Sequence, residues 1–215
     1  MEIIKLRSFL KTDEYLEVIN KSVKIIKRGG TVVCPTDTVY GILANADDQY
    51  AVRRIFKIKK RPFSRPLPLL IKDIEMAKQL AWIDARIEKI LKAVWPGAVT
   101  VVLNKKKRVP DIITAGRPTV ALRISKHFFI EDLFKFLTFP LIGTSANISG
   151  EGSICNADDI IKNFNKEYYC PDLVLDNGLL KSSSSSTILD LTTPSPKISR
   201  VGPVNKEELL KILEI

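Results

Sequence analysis

Short apolar runs alternate with amphipathic stretches along almost the whole chain, and this alternation confines it to the α/β class. Residues 3–6 read as an opening strand. Over residues 13–28, Leu16, Ile19, Val23 and Ile26 recur at helical spacing, with Thr12 or Asp13 as the cap and Gly29-Gly30 as the stop. Thr31-Val32-Val33-Cys34 is a buried strand stopped by Pro35, and residues 39–44 are a second extended piece. Asp47-Asp48 caps a helix through Lys57. Residues 66–71 read as a strand whose prolines confine it to an edge or to its ends. Helices are expected over 73–80 and 84–94, and strands over 98–103 and 120–124, joined by a basic loop. A helix over 131–137, a strand over 141–144 and a helix over 157–163 behind Asn156 follow. Late strands at 173–175, 187–191 and 197–201 precede a last helix, 206–213, capped by Asn205. The alternation predicts a largely, but not wholly, parallel sheet.

At 215 residues the chain can build one sizeable domain or two small ones. No uncharged run reaches the ~18 residues that cross a bilayer, and the first residues do not read as a signal peptide. Cys34, Cys155 and Cys170 are widely spaced, which argues against a disulfide framework or zinc site and for a reducing cytoplasm. The single histidine, His127, is expected to start a helix, so His-based triads and metal sites are not expected. Asp47-Asp48 and Asp158-Asp159 look like helix caps rather than metal ligands. A formal charge of +10 favours polyanionic partners, either nucleotides or nucleic acid.

Three distant segments read together as one anionic-nucleotide site: Pro35-Thr36-Asp37-Thr38-Val39-Tyr40-Gly41, Lys59-Lys60-Arg61-Pro62 and Thr144-Ser145-Ala146-Asn147. Lys59 and Arg61 lie before a proline, so their side chains converge if the chain is extended there. Converging cations suit a polyphosphate, Lys as a point charge and Arg as a bidentate fork. Ser145 and Asn147 are two apart at the end of a buried-looking strand, where open α/β sheets bind ligands. The ordinary reading of that segment is a turn. Arg123 lies inside the apolar strand Val120-Ala121-Leu122-Arg123-Ile124, sharing a face with Ala121. A buried Arg there must be paired or bind an anion.

These segments resemble, in identity and order, the YrdC-like family, the threonylcarbamoyl-AMP synthases. Further matches are Trp95-Pro96-Gly97, Thr119-Val120-Ala121-Leu122-Arg123, Ser186-Thr187-Ile188 and Arg200-Val201-Gly202, so the resemblance runs from about Gly29 to Gly202. It implies one domain over residues 1–215: a twisted, open, mixed sheet flanked by helices, with a basic concavity. It implies a nucleotidyltransferase that makes L-threonylcarbamoyl-AMP and pyrophosphate from L-threonine, bicarbonate and ATP, with Mg²⁺ carried by the ATP. A downstream system would pass the threonylcarbamoyl group to tRNA.

By the same resemblance, Lys59, Arg61, Thr119, Ser145, Asn147, Cys155 and Arg200 would contact ATP, and Thr36, Arg123 and Ser186 would contact L-threonine. Cys155 stands where a hydroxyl is more usual, and Arg200-Val201-Gly202 where relatives often have Arg-Pro-Gly. The run from Ser182 to Ser186 reads as an ordered or ligand-ordered loop of that site rather than a linker. The alternative is a non-catalytic module of the same fold that holds double-stranded RNA or tRNA. Such a module should interleave aromatics with its cations, and here only Phe56 and Phe63 lie close to the main basic cluster.

Overall fold

A computed structural model of the protein describes residues 1–6, 12–181 and 184–213. Its strands are β1 (Glu2–Lys5), β2 (Val32–Cys34), β3 (Gly41–Asn45), β4 (Leu69–Leu70), β5 (Val99–Asn104), β6 (Thr119–Arg123), β7 (Leu141–Ser145), β8 (Leu173–Asp176), β9 (Thr187–Asp190) and β10 (Lys197–Arg200). Among the described residues these form one sheet in the order β1-β8-β2-β3-β7-β4-β6-β5-β9-β10.

The ladders β1–β8, β2–β8, β4–β6 and β5–β9 are parallel. The ladders β2–β3, β3–β7, β4–β7, β5–β6 and β9–β10 are antiparallel. The expectation of a largely parallel sheet is therefore corrected. Residues 35–40 turn β2 straight into β3, and no long helix separates β5 from β6, so both pairs close as antiparallel neighbours without a crossover.

The helices are α1 (Thr12–Lys27), α2 (Gln49–Ile58), α3 (Ile74–Leu80), α4 (Ala85–Val94), α5 (Asp111–Thr114), α6 (Phe128–Phe134), α7 (Ala157–Phe164) and α8 (Lys206–Leu213). Their starts follow the capping chemistry. Asp48, Asp73 and Asp84 accept backbone N–H bonds at the starts of α2, α3 and α4. Asn205 and Glu208 exchange reciprocal bonds at α8 in a capping box. Asn156 caps α7, so Asp158 and Asp159 fall in its first turn rather than at the cap. Asp47 stands 3.6 Å from Arg108 instead of capping α2.

α6 begins earlier than expected because the ring of His127 accepts the Phe129 N–H at 3.3 Å. Four-residue α5 has no periodicity to read. It ends where Ala115 turns left-handed, at φ 54°.

β4 is the informative departure. The stretch 66–71 contributes only Leu69 and Leu70 to the ladders, and it lies inside the sheet, between β7 and β6. Pro66 and Pro68 precede the paired residues. Pro68 lacks an N–H but still offers its carbonyl, which accepts from Gly143 N at 3.1 Å. α1 packs on β2 and β3, α2 on β3 and α7 on β8. The core is continuous through Ile19, Ile26, Val33, Leu43, Ile55, Leu122, Ile142 and Val174, all essentially inaccessible. No helix among the described residues is long and apolar enough to cross a membrane.

Candidate functional site

One cavity of about 340 Å³ lies across the middle strands. Gly41 and Leu43 of β3, Thr100 and Val102 of β5, Ala121 and Arg123 of β6, and Gly143 and Ser145 of β7 all line it. Each pair is two residues apart, so the wall is a single face of the sheet. The face is hollow partly because of Gly143, where a Cβ would stand 2.3 Å from Leu70 Cγ. β10 reaches the wall because Gly202 lets its chain pass close: a Cβ there would lie 2.2 Å from the Ser185 carbonyl oxygen.

Of the residues expected from sequence, Thr36, Arg61, Arg123, Ser145, Ser186 and Arg200 meet at this cavity. Lys59, Thr119, Asn147 and Cys155 are not in its wall. Thr119 opens β6, opposite Asn104 and one alternation beyond Ala121. Cys155 is half-buried in the segment before α7, where its carbonyl accepts from Leu180 N at 2.9 Å. Of the serine run, Ser185 and Ser186 line the cavity, while Ser182 and Ser183 lie outside the described residues.

Lys59 and Arg61 do not converge as an extended segment would make them. Lys59 closes α2 in helical conformation and Lys60 is left-handed at φ 48°, so the cations diverge. Lys59 is 1% exposed. Its ammonium donates to Ser145 O, to Asn147 O at 2.8 Å and to Asn147 Oδ1 at 3.3 Å. Burial, with the Arg61 charge nearby, lowers the Lys59 pKa to about 7. Its three oxygen partners oppose that shift, because they favour the ammonium form.

Asn147 is likewise tied inward. Its amide donates to Ile148 O at 3.0 Å and Glu151 O at 2.7 Å, and its Oδ1 accepts from Ser145 Oγ at 2.5 Å. Asn147 lies in the bend after β7, outside the cavity wall, whereas Ser145 faces the cavity.

Arg123 is 7% exposed. Its Nε donates to Gly97 O at 2.9 Å and its Nη1 to Thr38 Oγ1 at 3.1 Å. Nη2 stands 2.6 Å from Asp37 Oδ1, an ion pair by distance whose angle misses a hydrogen bond. Asp37 also accepts from the Ser125 hydroxyl. Burial would raise the Asp37 pKa, but the Arg123 charge, the Ser125 hydroxyl and the Lys126 N–H together hold it below the usual range.

The partner that alternation demanded for Arg123 is thus a carboxylate of the chain itself. Asp37, Thr38 and Ser125 were given no role from sequence. The one available signal was that Asp37 and Thr38 lie inside the segment already singled out. Trp95-Pro96-Gly97 is a packing turn: the Trp95 indole N–H donates to Val99 O at 2.7 Å, and Gly97 O receives Arg123.

Arg61 donates to Arg65 O at 3.2 Å and Pro66 O at 2.7 Å. Arg200 grips Ser186 O through Nε at 3.1 Å and Nη2 at 2.8 Å, and Ser186 Oγ lies 2.7 Å from Thr100 Oγ1. Burial, with Arg65 beside one and Arg123 beside the other, lowers the pKa of Arg61 and of Arg200. Among the described residues neither has a carboxylate partner. Thr36 Oγ1 donates to Val39 O at 2.6 Å, so its hydroxyl is held by the backbone while it lines the wall. The apolar side of the cavity is Val39, Leu67, Leu69, Leu70, Val102 and Ile188. Three guanidinium groups and an apolar side thus share one cavity.

Residues 24–202 match the Sua5/YciO/YrdC family, described as "Telomere recombination". The threonylcarbamoyl-AMP synthase of Pyrococcus abyssi is 38% identical over 189 residues, covering 87% of this chain and 55% of that protein. The chain therefore spans about half the length of this relative. A protein of Methanocaldococcus jannaschii named as a putative threonylcarbamoyl-AMP synthase is 36% identical over 210 residues, covering 98% of this chain and 97% of its own length. The crystal structure of P. abyssi Sua5 complexed with L-threonine superposes with a TM-score of 0.89 at 36% identity, covering 99% of this chain and 61% of that one. Sequence match and fold agree: the chain belongs to the Sua5/YciO/YrdC family.

Proposed function

We propose that this cavity makes L-threonylcarbamoyl-AMP and pyrophosphate from L-threonine, bicarbonate and ATP, for threonylcarbamoyladenosine modification of tRNA. One observation carries the reading: three guanidinium groups, Arg61, Arg123 and Arg200, line one cavity, and among the described residues only Arg123 has a carboxylate beside it. Two guanidinium groups with no carboxylate partner among the described residues, both in the wall of one cavity, suit a multiply charged anion. The names of the relatives and the L-threonine bound to P. abyssi Sua5 support the same substrates.

In this reading the threonine amine and bicarbonate combine, with loss of water, into a carbamate. A carbamate oxygen bonds to the α-phosphorus of ATP, and the bond from that phosphorus to the bridging oxygen breaks, releasing pyrophosphate. Arg61, Arg200 and Ser145 hold phosphate oxygens and the leaving charge. Arg123, fixed by Asp37, Thr38 and Gly97, receives the threonine carboxylate beside Thr36 and Ser186. The chain supplies alignment and charge rather than a nucleophile. The apolar side of the cavity keeps water from the carbamate and the mixed anhydride.

Thr119 and Cys155 lie outside the wall, and this reading does not lean on them. Mg²⁺ enters on the triphosphate; Asp37, the carboxylate beside Arg123, is already engaged with Arg123 and Ser125. A cytoplasmic setting and hand-over to a threonylcarbamoyl-transfer system and tRNA belong to the same proposal.

Pyrophosphate release from ATP is the test. It should require both L-threonine and bicarbonate. Release that ignores either one, or none at all from folded protein, overturns the reading.

A further inference from the structure

Lys59 carries a charge that no carboxylate among the described residues answers and that solvent scarcely reaches. An ammonium group has three protons, and three oxygens surround this one: Ser145 O, Asn147 O and Asn147 Oδ1. None is left over for a ligand. The backbone of Lys59 joins the same lattice, its carbonyl accepting from Ser149 N at 2.8 Å. From Lys59 the bonds run through Asn147 Oδ1 to Ser145 Oγ, and only Ser145 reaches the cavity.

We propose that Lys59 is a positioning residue for the nucleotide, acting through Ser145 and never touching phosphate itself. This rests on the nucleotide reading above and assigns Lys59 a role different from that of Arg61. The geometry gives the brace two tasks. It fixes the end of β7, so the Ser145 hydroxyl stands at one place on the wall. It also gives Asn147 Oδ1 a second donor. Ser145 Oγ now spends its proton on that oxygen. When a phosphate oxygen arrives, the hydroxyl can turn its proton outward, and the buried Oδ1 keeps Lys59 as its partner. Without Lys59 the same rotation would strand a buried acceptor, which is unfavourable.

Two measurements on the full chain test this. First, the native protein is acetylated with acetic anhydride, without and with Mg·ATP, and each lysine is read by mass spectrometry. Lys59 should stay unmodified in both states, while exposed Lys57 and Lys60 react in both. Modification of Lys59 in the free protein, with or without protection by ATP, overturns the proposal.

Second, ATP affinity is measured for Lys59→Met, Ser145→Ala and the double variant, each checked for folding by denaturant titration. Lys59→Met should weaken ATP by about tenfold with the threonine KM little changed, and the double variant should match Ser145→Ala to within about twofold. Losses that multiply would mean an independent phosphate contact and would overturn the proposal. If Lys59→Met does not fold, the acetylation result decides alone. Failure of the unaltered protein to bind ATP would remove the nucleotide reading itself, a result separate from the labelling of Lys59 in the free protein.

Discussion

At Arg123 three neighbours fix a guanidinium in an apolar strand, and its fourth side is the cavity. Replacing it by Leu would leave the half-buried Asp37 without its ion-pair partner and so would disturb the fold as well as the site. Lysine is the better probe, because it keeps the charge and loses the fork. Arg123→Lys should raise the threonine KM by about tenfold or more while moving the ATP KM little, and steady-state kinetics with each substrate varied reads this directly.

Asp37 makes a separate prediction through pH. Its folded pKa lies below the unfolded value, so its contribution to stability is complete above about pH 4 and is lost as pH falls through the lower folded value. Asp37→Asn should therefore flatten the acid limb of a stability-versus-pH curve measured by urea unfolding. An unchanged limb would mean the ion pair carries no linkage.

The demand for a partner at Arg123 was legible in the alternation of β6. Which carboxylate would answer was not, because Asp37 comes from the distant turn between β2 and β3. Lys59 shows the opposite case. Its charge and its place in the Lys59-Lys60-Arg61-Pro62 segment pointed outward to phosphate, and only the closed turn at Lys60 shows it pointing in.

Most strands and helices were readable, since Val33, Ile55, Leu122 and Ile142 fall on the periods that burial imposes. Their order in the sheet was not. Whether a connection returns as a hairpin or crosses over depends on pairing that no local period records; of the two places its prolines allowed, β4 takes the interior one, between β7 and β6, with Pro66 and Pro68 ahead of its two paired residues. The packing of β4 on β7 has its own test. Gly143→Ala puts a methyl against Leu70, with Cβ 2.7 Å from Leu70 Cδ1. It should destabilise the fold by about 1–3 kcal/mol in denaturant titration. Leu70 also lines the cavity, so the KM for both substrates should rise together. A variant as stable as the parent would mean the two strands have room to part.

For the whole molecule, the charge of +10 becomes specific only at the cavity. Many exposed cations are answered locally, as Lys60 is by Glu167 and Lys78 by Glu75 and Glu88. Arg61 and Arg200 have only carbonyl and hydroxyl partners among the described residues, so in the cavity wall they hold charge that no carboxylate answers. Changing both to Ala should weaken ATP by about a hundredfold or more in a binding titration, since each charge-assisted bond contributes ~1.5–3 kcal/mol. An unaltered affinity in a folded double variant would put the phosphates elsewhere.

The central claim is that one cavity joins three small molecules, and carbon-13 bicarbonate follows it most directly. Incubated with L-threonine, Mg·ATP and labelled bicarbonate, the protein should yield an adenylate that contains threonine and carries the label, identified by mass spectrometry before it hydrolyses. An adenylate of threonine without the labelled carbon, or AMP with no threonine adduct, would contradict the account.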